Sequence, residues 1–130
     1  MAIVVDASTV VAALVDSGPD GRWAEDQLRS GPVVAPNLLL AEVSNVLRRA
    51  ELTGEISPES AALAFDALQS LPFDAVTFEA YAERIWELRH TVTAYDAFYV
   101  ALAEAIDAPL ATLDIRLSNA PGPTCRFELP

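Results

Sequence analysis

Short apolar runs that end on an acid or a turn, each followed by a segment of helical spacing, recur along this chain and limit its fold more than any other feature. Residues 3–5 are apolar and stop at Asp6, and residues 8–15 have helix-compatible spacing before a Ser-Gly-Pro break at 17–19. Residues 20–29 form an amphipathic helix candidate, and two prolines at 32 and 36 enclose a two-valine strand candidate. Asn37 is placed to cap a helix reaching about Leu52 and stopping at Gly54, because asparagine accepts the first free amides and glycine accepts a left-handed exit. Ser57-Pro58 restarts a helix toward Ser70, with Pro58 at the first helical position, where its missing amide costs nothing. Residues 73–76 read as a strand, Thr77 as the cap of a helix to about His90, and Thr93 as the cap of a helix from Ala94 to Ile106. Residues 109–113 read as a strand with Asp114 at its end, and 125–129 as a closing strand.

Strands alternating with helices specify an α/β fold with a mainly parallel central sheet, helices on both faces, and right-handed crossovers. The 130 residues make one ordinary domain spanning 1–130, with no repeats or linkers. A chain of this size removes roughly two thirds of its unfolded surface from water. In such open sheets ligands bind beyond the carboxyl ends of the strands, where the strand order reverses. Asp6 and Asp114 both fall at that edge.

Cys125 is the only cysteine, which excludes an internal disulfide and a cysteine-based zinc site and points to a reducing, cytoplasmic setting. The apolar N-terminus has no basic residue before Arg22 and is interrupted by Asp6, so it fails the pattern of a signal peptide. No apolar run approaches the roughly 18 residues of a membrane span, so a soluble chain with no membrane association is expected. The net charge is −11, and all eight basic residues are arginine. So acidic a surface repels nucleic acid at long range, an objection any nuclease reading must answer.

Four acids stand where chemistry could use them, and each also has a plainer explanation. Asp6 is either a carboxylate fixed at the sheet edge or a helix cap. Glu42 interrupts an otherwise apolar LLLAEVSNVL stretch and shares a helical face with Asn45, Val46 and Arg49, so it is either a functional carboxylate or half of an ion pair with Arg49. Asp96 falls in the first turn of its helix, where the macrodipole favours any acid, and Asp114 could be a turn or cap residue. Their order along the chain puts all four where one crevice could collect them. Adjacent carboxylates at 4 Å repel by about 4 kcal/mol at an effective dielectric near 20, so a divalent cation is the natural occupant. All-oxygen ligation selects Mg2+ or Mn2+ over zinc.

The segments IVVDAST, PNLLLAEVSNVLRRA and TAYDAFYVALAEAIDAPLATLDIRL resemble the PIN domain of VapC-type toxins, and the resemblance extends over essentially the whole chain. It implies a three-layer PIN-like fold and a metal-dependent endoribonuclease of a toxin–antitoxin pair, often dimeric and neutralised by a small antitoxin. It carries the family's acids onto Asp6, Glu42, Asp96 and Asp114, with Asp114 at the position whose role varies most. Ser8 and Thr112 match supporting hydroxyl positions, and Asn45 a further supporting one.

The implied reaction is in-line hydrolysis of an RNA phosphodiester with one or two ions activating water. A metal-free route needs a tuned acid and base, and the chain has one histidine, His90, at a helix end. The charge objection weakens because RNA contacts need only local positive charge. Arg48 and Arg49, on the helix of Glu42, and Arg116, two residues after Asp114, are the phosphate-contact candidates, with ordinary solvated surface as the alternative. The acidic remainder suits an antitoxin with a basic segment. Two rivals remain: an Asp-based phosphotransfer domain, which normally needs a lysine that this chain lacks, and a non-catalytic PIN-like protein-binding module. Trp23, Phe65, Trp86, Phe98 and Tyr99 have helical spacing and are expected in the core, with a partner or dimer surface as the alternative.

Overall fold

In the computed structural model, which describes residues 1–130, five strands and seven α-helices alternate. They are β1 (Ile3–Val5), α1 (Ala7–Val15), α2 (Pro19–Arg29), β2 (Val33–Pro36), α3 (Leu39–Leu52), α4 (Pro58–Gln69), β3 (Asp74–Val76), α5 (Ala82–Glu87), α6 (Ala94–Ala105), β4 (Leu110–Ala111), α7 (Ile115–Ser118) and β5 (Phe127–Glu128). The sheet order is β3-β2-β1-β4-β5, and every pairing is parallel. From β1 the chain builds outward through β2 and β3, then returns to place β4 on the other side of β1. The order therefore reverses between β1 and β4.

A parallel sheet covered on both faces asks for strands without alternation, and all three residues of β1 are buried. Helix α6 packs on β1, β2 and β4, and residues 97–103 of it are buried without a break, which an apolar run with no polar stripe allows. Helix α1 packs against α2, α3 and α4. Gly21 lets α2 approach the end of α1: a Cβ there would stand 1.7 Å from the carbonyl oxygen of Asp16.

Several local readings hold. Ser57 caps α4 by accepting from the amide of Ser60, Pro58 opens that helix, Thr93 Oγ1 accepts from the amide of Asp96, and Gly54 exits α3 at φ +80°. Others need correction. Asn37 does not cap α3: its backbone continues the β2–β3 ladder by donating its amide to the carbonyl of Val76, which leaves Leu38 at the cap position without a side-chain acceptor. Thr77 makes no cap hydrogen bond, and the helix expected to run on to His90 is instead a 3₁₀ turn, Phe78–Tyr81, followed by the short α5. Residues three apart eclipse in a 3₁₀ turn, which lets Phe78 and Tyr81 both meet the ring of Phe98, at centroid distances of 5.8 and 5.9 Å. Among the aromatics expected in the core, Phe98 and Tyr99 are buried and Trp23 is partly buried against it, but Phe65 and Trp86 are exposed. Ile85 takes the inward position of α5, so its neighbour Trp86 points out.

Candidate active site at the β1–β4 switch point

Asp6 ends β1 and is buried, and both of its oxygens accept hydrogen bonds. Oδ1 accepts from Ser8 Oγ at 2.6 Å and from the Thr9 amide at 3.1 Å, while Oδ2 accepts from Thr112 Oγ1. The plainer reading of Asp6 as a helix cap is therefore realised, since the Thr9 amide belongs to the first turn of α1. The two hydroxyls do more than satisfy Asp6. Ser8 Oγ accepts the amide of Leu113 at 3.0 Å, and Thr112 Oγ1 accepts the amide of Asp114 at 3.0 Å. Each hydroxyl thus ties the end of β1 to the turn after β4, across the place where the strand order reverses.

Asp114 caps α7, a helix absent from the sequence reading, by accepting the Leu117 amide at 3.1 Å. Asp96, in the first turn of α6, and Asp114 line one cavity of about 400 Å³ with Thr91, Thr93 and Arg116. Glu42, in the first turn of α3, makes no ion pair with Arg49; its Oε1 accepts the Tyr99 hydroxyl at 2.6 Å. Tyr99 was expected in the core or at a partner surface, yet it lies one turn after Asp96 on the same face of α6, and that spacing is the signal that could have found it.

Electrostatics join these acids. Burial, the largest cause, pushes the carboxyls of Asp6, Glu42 and Asp96 above the ordinary carboxylate range. Mutual repulsion adds to it: Glu42 feels Asp96 and Asp6, and Asp96 feels Asp6 and Asp114. Hydrogen bonds to Asp6 from Ser8, Thr112 and Thr9 act the other way but do not cancel burial. None of the chain's five ion pairs involves any of the four acids. In this arrangement no three acidic, histidine or cysteine side chains converge to metal-ligating distance. What fits a cation is the donor chemistry: oxygen ligands, partly desolvated, mutually repelling and in no ion pair.

The remaining sequence candidates are scattered. Arg116 faces the acidic cavity, whereas Arg48 lines a groove between α3 and α4 with Leu47, Ala61 and Phe65. Arg49 and Asn45 are exposed on α3, and His90 is exposed in the turn after α5. Burial pushes the Cys125 thiol up to about 11, so it is no activated nucleophile.

The PIN domain family matches residues 3–123. The chain is 47% identical over 127 residues to ribonuclease VapC1 of Mycobacterium tuberculosis, covering 97% of this chain and 96% of the relative. It is 35% identical over 123 residues to ribonuclease VapC9 of the same organism, covering 95% and 94%. The fold matches the crystal structure of VapBC2 from Rickettsia felis, bound to a DNA fragment from its promoter, with a TM-score of 0.70 at 17% identity over 100% of this chain and 99% of that one. An all-parallel sheet with acids at its switch point, together with these matches, settles the class: the chain belongs to the PIN-domain family, in its VapC branch. No helix is long and apolar enough to cross a membrane.

Proposed function

We propose that this chain is the toxin of a toxin–antitoxin pair and acts as a metal-dependent endoribonuclease. The observation that carries the reading is the set of acids at the β1–β4 switch point, which repel one another and have no cationic partner, in a chain 47% identical to a curated VapC ribonuclease. Asp6, Glu42 and Asp96 are the donors we assign to a Mg2+ or Mn2+ ion, with Asp114 joining them directly, through water, or at a second ion. When bound, the ion supplies an activated water and neutralises charge on the scissile phosphate. Ser8 and Thr112 hold Asp6 and leave its carboxylate little freedom to turn, which is the preorganisation a ligand needs. Tyr99 does the same for Glu42. Arg116 gives the acidic cavity its one positive charge and is placed to meet a phosphate; Arg48, Arg49 and Asn45 are assigned more peripheral contacts on α3. The products expected of such hydrolysis carry a 5′-phosphate and a 3′-hydroxyl.

The proposed partner is an antitoxin whose basic segment lies against the acidic surface, for which the −11 net charge provides the attraction. A homodimer and a cytoplasmic setting complete the reading. The decisive experiment incubates purified protein with a panel of cellular RNAs in Mg2+, in Mn2+ and in EDTA. Endonucleolytic cuts that require the metal and disappear on adding the adjacent antitoxin are expected. Equal cutting in EDTA, or none in either metal, overturns the proposal.

A further inference from the structure

Trp86 and Arg89 form a feature that the acidic site does not absorb. Trp86 is 67% exposed, and the guanidinium of Arg89 lies over its ring, 4.5 Å from the centroid. The stack is fixed by a second contact, since Arg89 Nη1 donates to the Trp86 carbonyl at 2.8 Å. An arginine that merely shielded a tryptophan from water would leave it covered. Here most of the indole stays open with the guanidinium already on it.

Arg89 is also kept free of acids in a chain that has 19 of them. Glu87, two residues away, turns to Arg84 at 3.8 Å instead, and Arg89 takes part in no ion pair. Arg116 is likewise unpaired, and it lines the acidic cavity. Thr91, two residues beyond Arg89, lines the same cavity, so the backbone at Arg89 lies within about 8 Å of its wall at the 3.8 Å spacing of consecutive Cα atoms.

Helix α5 and the turn after it, which carry this stack, are anchored to the loop after α7. Thr91 Oγ1 donates to the Pro121 carbonyl at 2.7 Å, and Arg84 Nη2 donates to the Gly122 carbonyl at 2.9 Å. Gly122 sits at φ +111°, a backbone conformation that favours glycine, and an added Cβ would stand 3.1 Å from Leu88 Cδ2, a tight contact. Glu104 closes the arrangement by accepting from Arg84 at 2.7 and 3.1 Å and from the amide and hydroxyl of Thr124 at 2.7 and 2.9 Å. A surface aromatic at the end of α5 and a cation in the turn after it are thus hydrogen-bonded, through Arg84 and Thr91, to the loop after α7 near the acidic cavity.

We propose that Trp86 and Arg89 are a stacking platform for an unpaired base of an RNA strand, one or two nucleotides from the phosphate that enters the acidic cavity. The proposal rests on the ribonuclease reading and adds to it the preference for single-stranded substrate around the cut. An indole face takes any base, and a guanidinium stacks while attracting the adjacent phosphate, which a compact ammonium cannot do. A cation this near the cavity also counters the repulsion that the acidic surface imposes on RNA.

Two measurements test it. Michaelis kinetics on single-stranded RNA compare wild type with Trp86→Ala, Trp86→Phe and Arg89→Ala, and tryptophan fluorescence follows titration of the Asp6→Asn chain with a ten-nucleotide oligouridylate. Trp86→Ala is expected to raise KM about tenfold to a hundredfold and leave kcat within about twofold. Trp86→Phe recovers most of the loss, and Arg89→Ala weakens binding and lowers the salt slope by about one. The oligonucleotide quenches fluorescence, and Trp86→Phe abolishes most of that quenching. An active enzyme whose KM is indifferent to Trp86→Ala overturns the platform and leaves the ribonuclease reading standing. A wild type that cuts no RNA while Trp86 is still quenched has the reverse meaning. Loss of antitoxin affinity with unchanged RNA binding also overturns the platform, by making the stack a protein contact.

Discussion

The Tyr99 hydroxyl donates a hydrogen bond to Glu42 Oε1 at 2.6 Å, joining the buried helix α6 to the first turn of α3. This bond fixes the one candidate ligand that comes from neither a strand end nor α6. The carboxylate partner holds the phenol in its protonated form, since burial and the adjacent Glu42 both push the Tyr99 pKa up. Tyr99→Phe removes the donor and keeps the ring. We expect a loss of about 1–2 kcal/mol in urea unfolding, together with reduced RNA cleavage because Glu42 is free to rotate. Unchanged cleavage would show that Glu42 needs no such positioning.

Thr112 and Ser8 invite a graded comparison. Thr112 is fully buried, and its hydroxyl serves two groups at once, Asp6 Oδ2 and the Asp114 amide. Thr112→Val leaves both without a partner and is expected to cost about 2–3 kcal/mol, whereas Thr112→Ser restores most of it. Ser8→Ala, at a half-buried site that water can reach, is expected to cost about 1 kcal/mol. Equal losses at the two positions would mean that burial does not set the strength of this junction.

The acids predict an unusual pH profile. Asp6, Glu42 and Asp96 all have folded-state pKa values above their ordinary ones, so from about pH 4 upward the native state binds more protons than the unfolded chain. Stability contributed by those protons is present in acid and is lost as pH rises through the raised values. Glu104 runs oppositely: hydrogen bonds from Arg84 and Thr124 outweigh its burial and lower its pKa, so its contribution is lost only as pH falls through that lowered value. Melting temperatures in EDTA should therefore be higher near pH 5 than near pH 7.5. Millimolar Mn2+ should narrow the gap by taking the place of the protons. A melting temperature that is flat across this range and indifferent to Mn2+ would argue against a shared cation site.

Much of this layout was legible because it rests on local rules. Apolar runs ending on an acid located β1 and β4, and the Ser57-Pro58 and Thr93 caps set two helix starts. What escaped depends on contacts distant in sequence. The Asn37 backbone pairs with Val76, 39 residues later, so the helix starts one residue further on and its capping propensity is not used. Phe78 and Tyr81 fold onto Phe98, and this ends the regular helix that periodicity favoured. Trp86 has core-like spacing, yet α5 is only six residues long and offers Ile85 to the interior. Tyr99 looked like a core aromatic, and its hydroxyl became visible only once α3 stood beside it.

The strongest test concerns Asp6, where the capping and ligand readings are realised by the same carboxylate. Asp6→Asn keeps the shape and retains one oxygen to accept the Thr9 amide, so the cap on α1 survives. The amide nitrogen cannot accept a hydroxyl proton, so either Ser8 or Thr112 must turn its proton elsewhere, at a cost of about 1 kcal/mol. Against that, a buried charge that repels Glu42 and Asp96 is gone. These terms oppose each other, so metal-free stability near neutral pH is expected to stay within about 1 kcal/mol of wild type, and the pH dependence in EDTA to flatten. Cleavage, in contrast, should fall by about a hundredfold or more, since losing a ligand costs at least as much as losing the residue that orients one. Mn2+ should stabilise the variant less than it stabilises wild type. If Asp6 only caps α1, the variant folds, keeps its response to Mn2+ and cuts RNA at the wild-type rate, and the proposed site is then wrong at its centre.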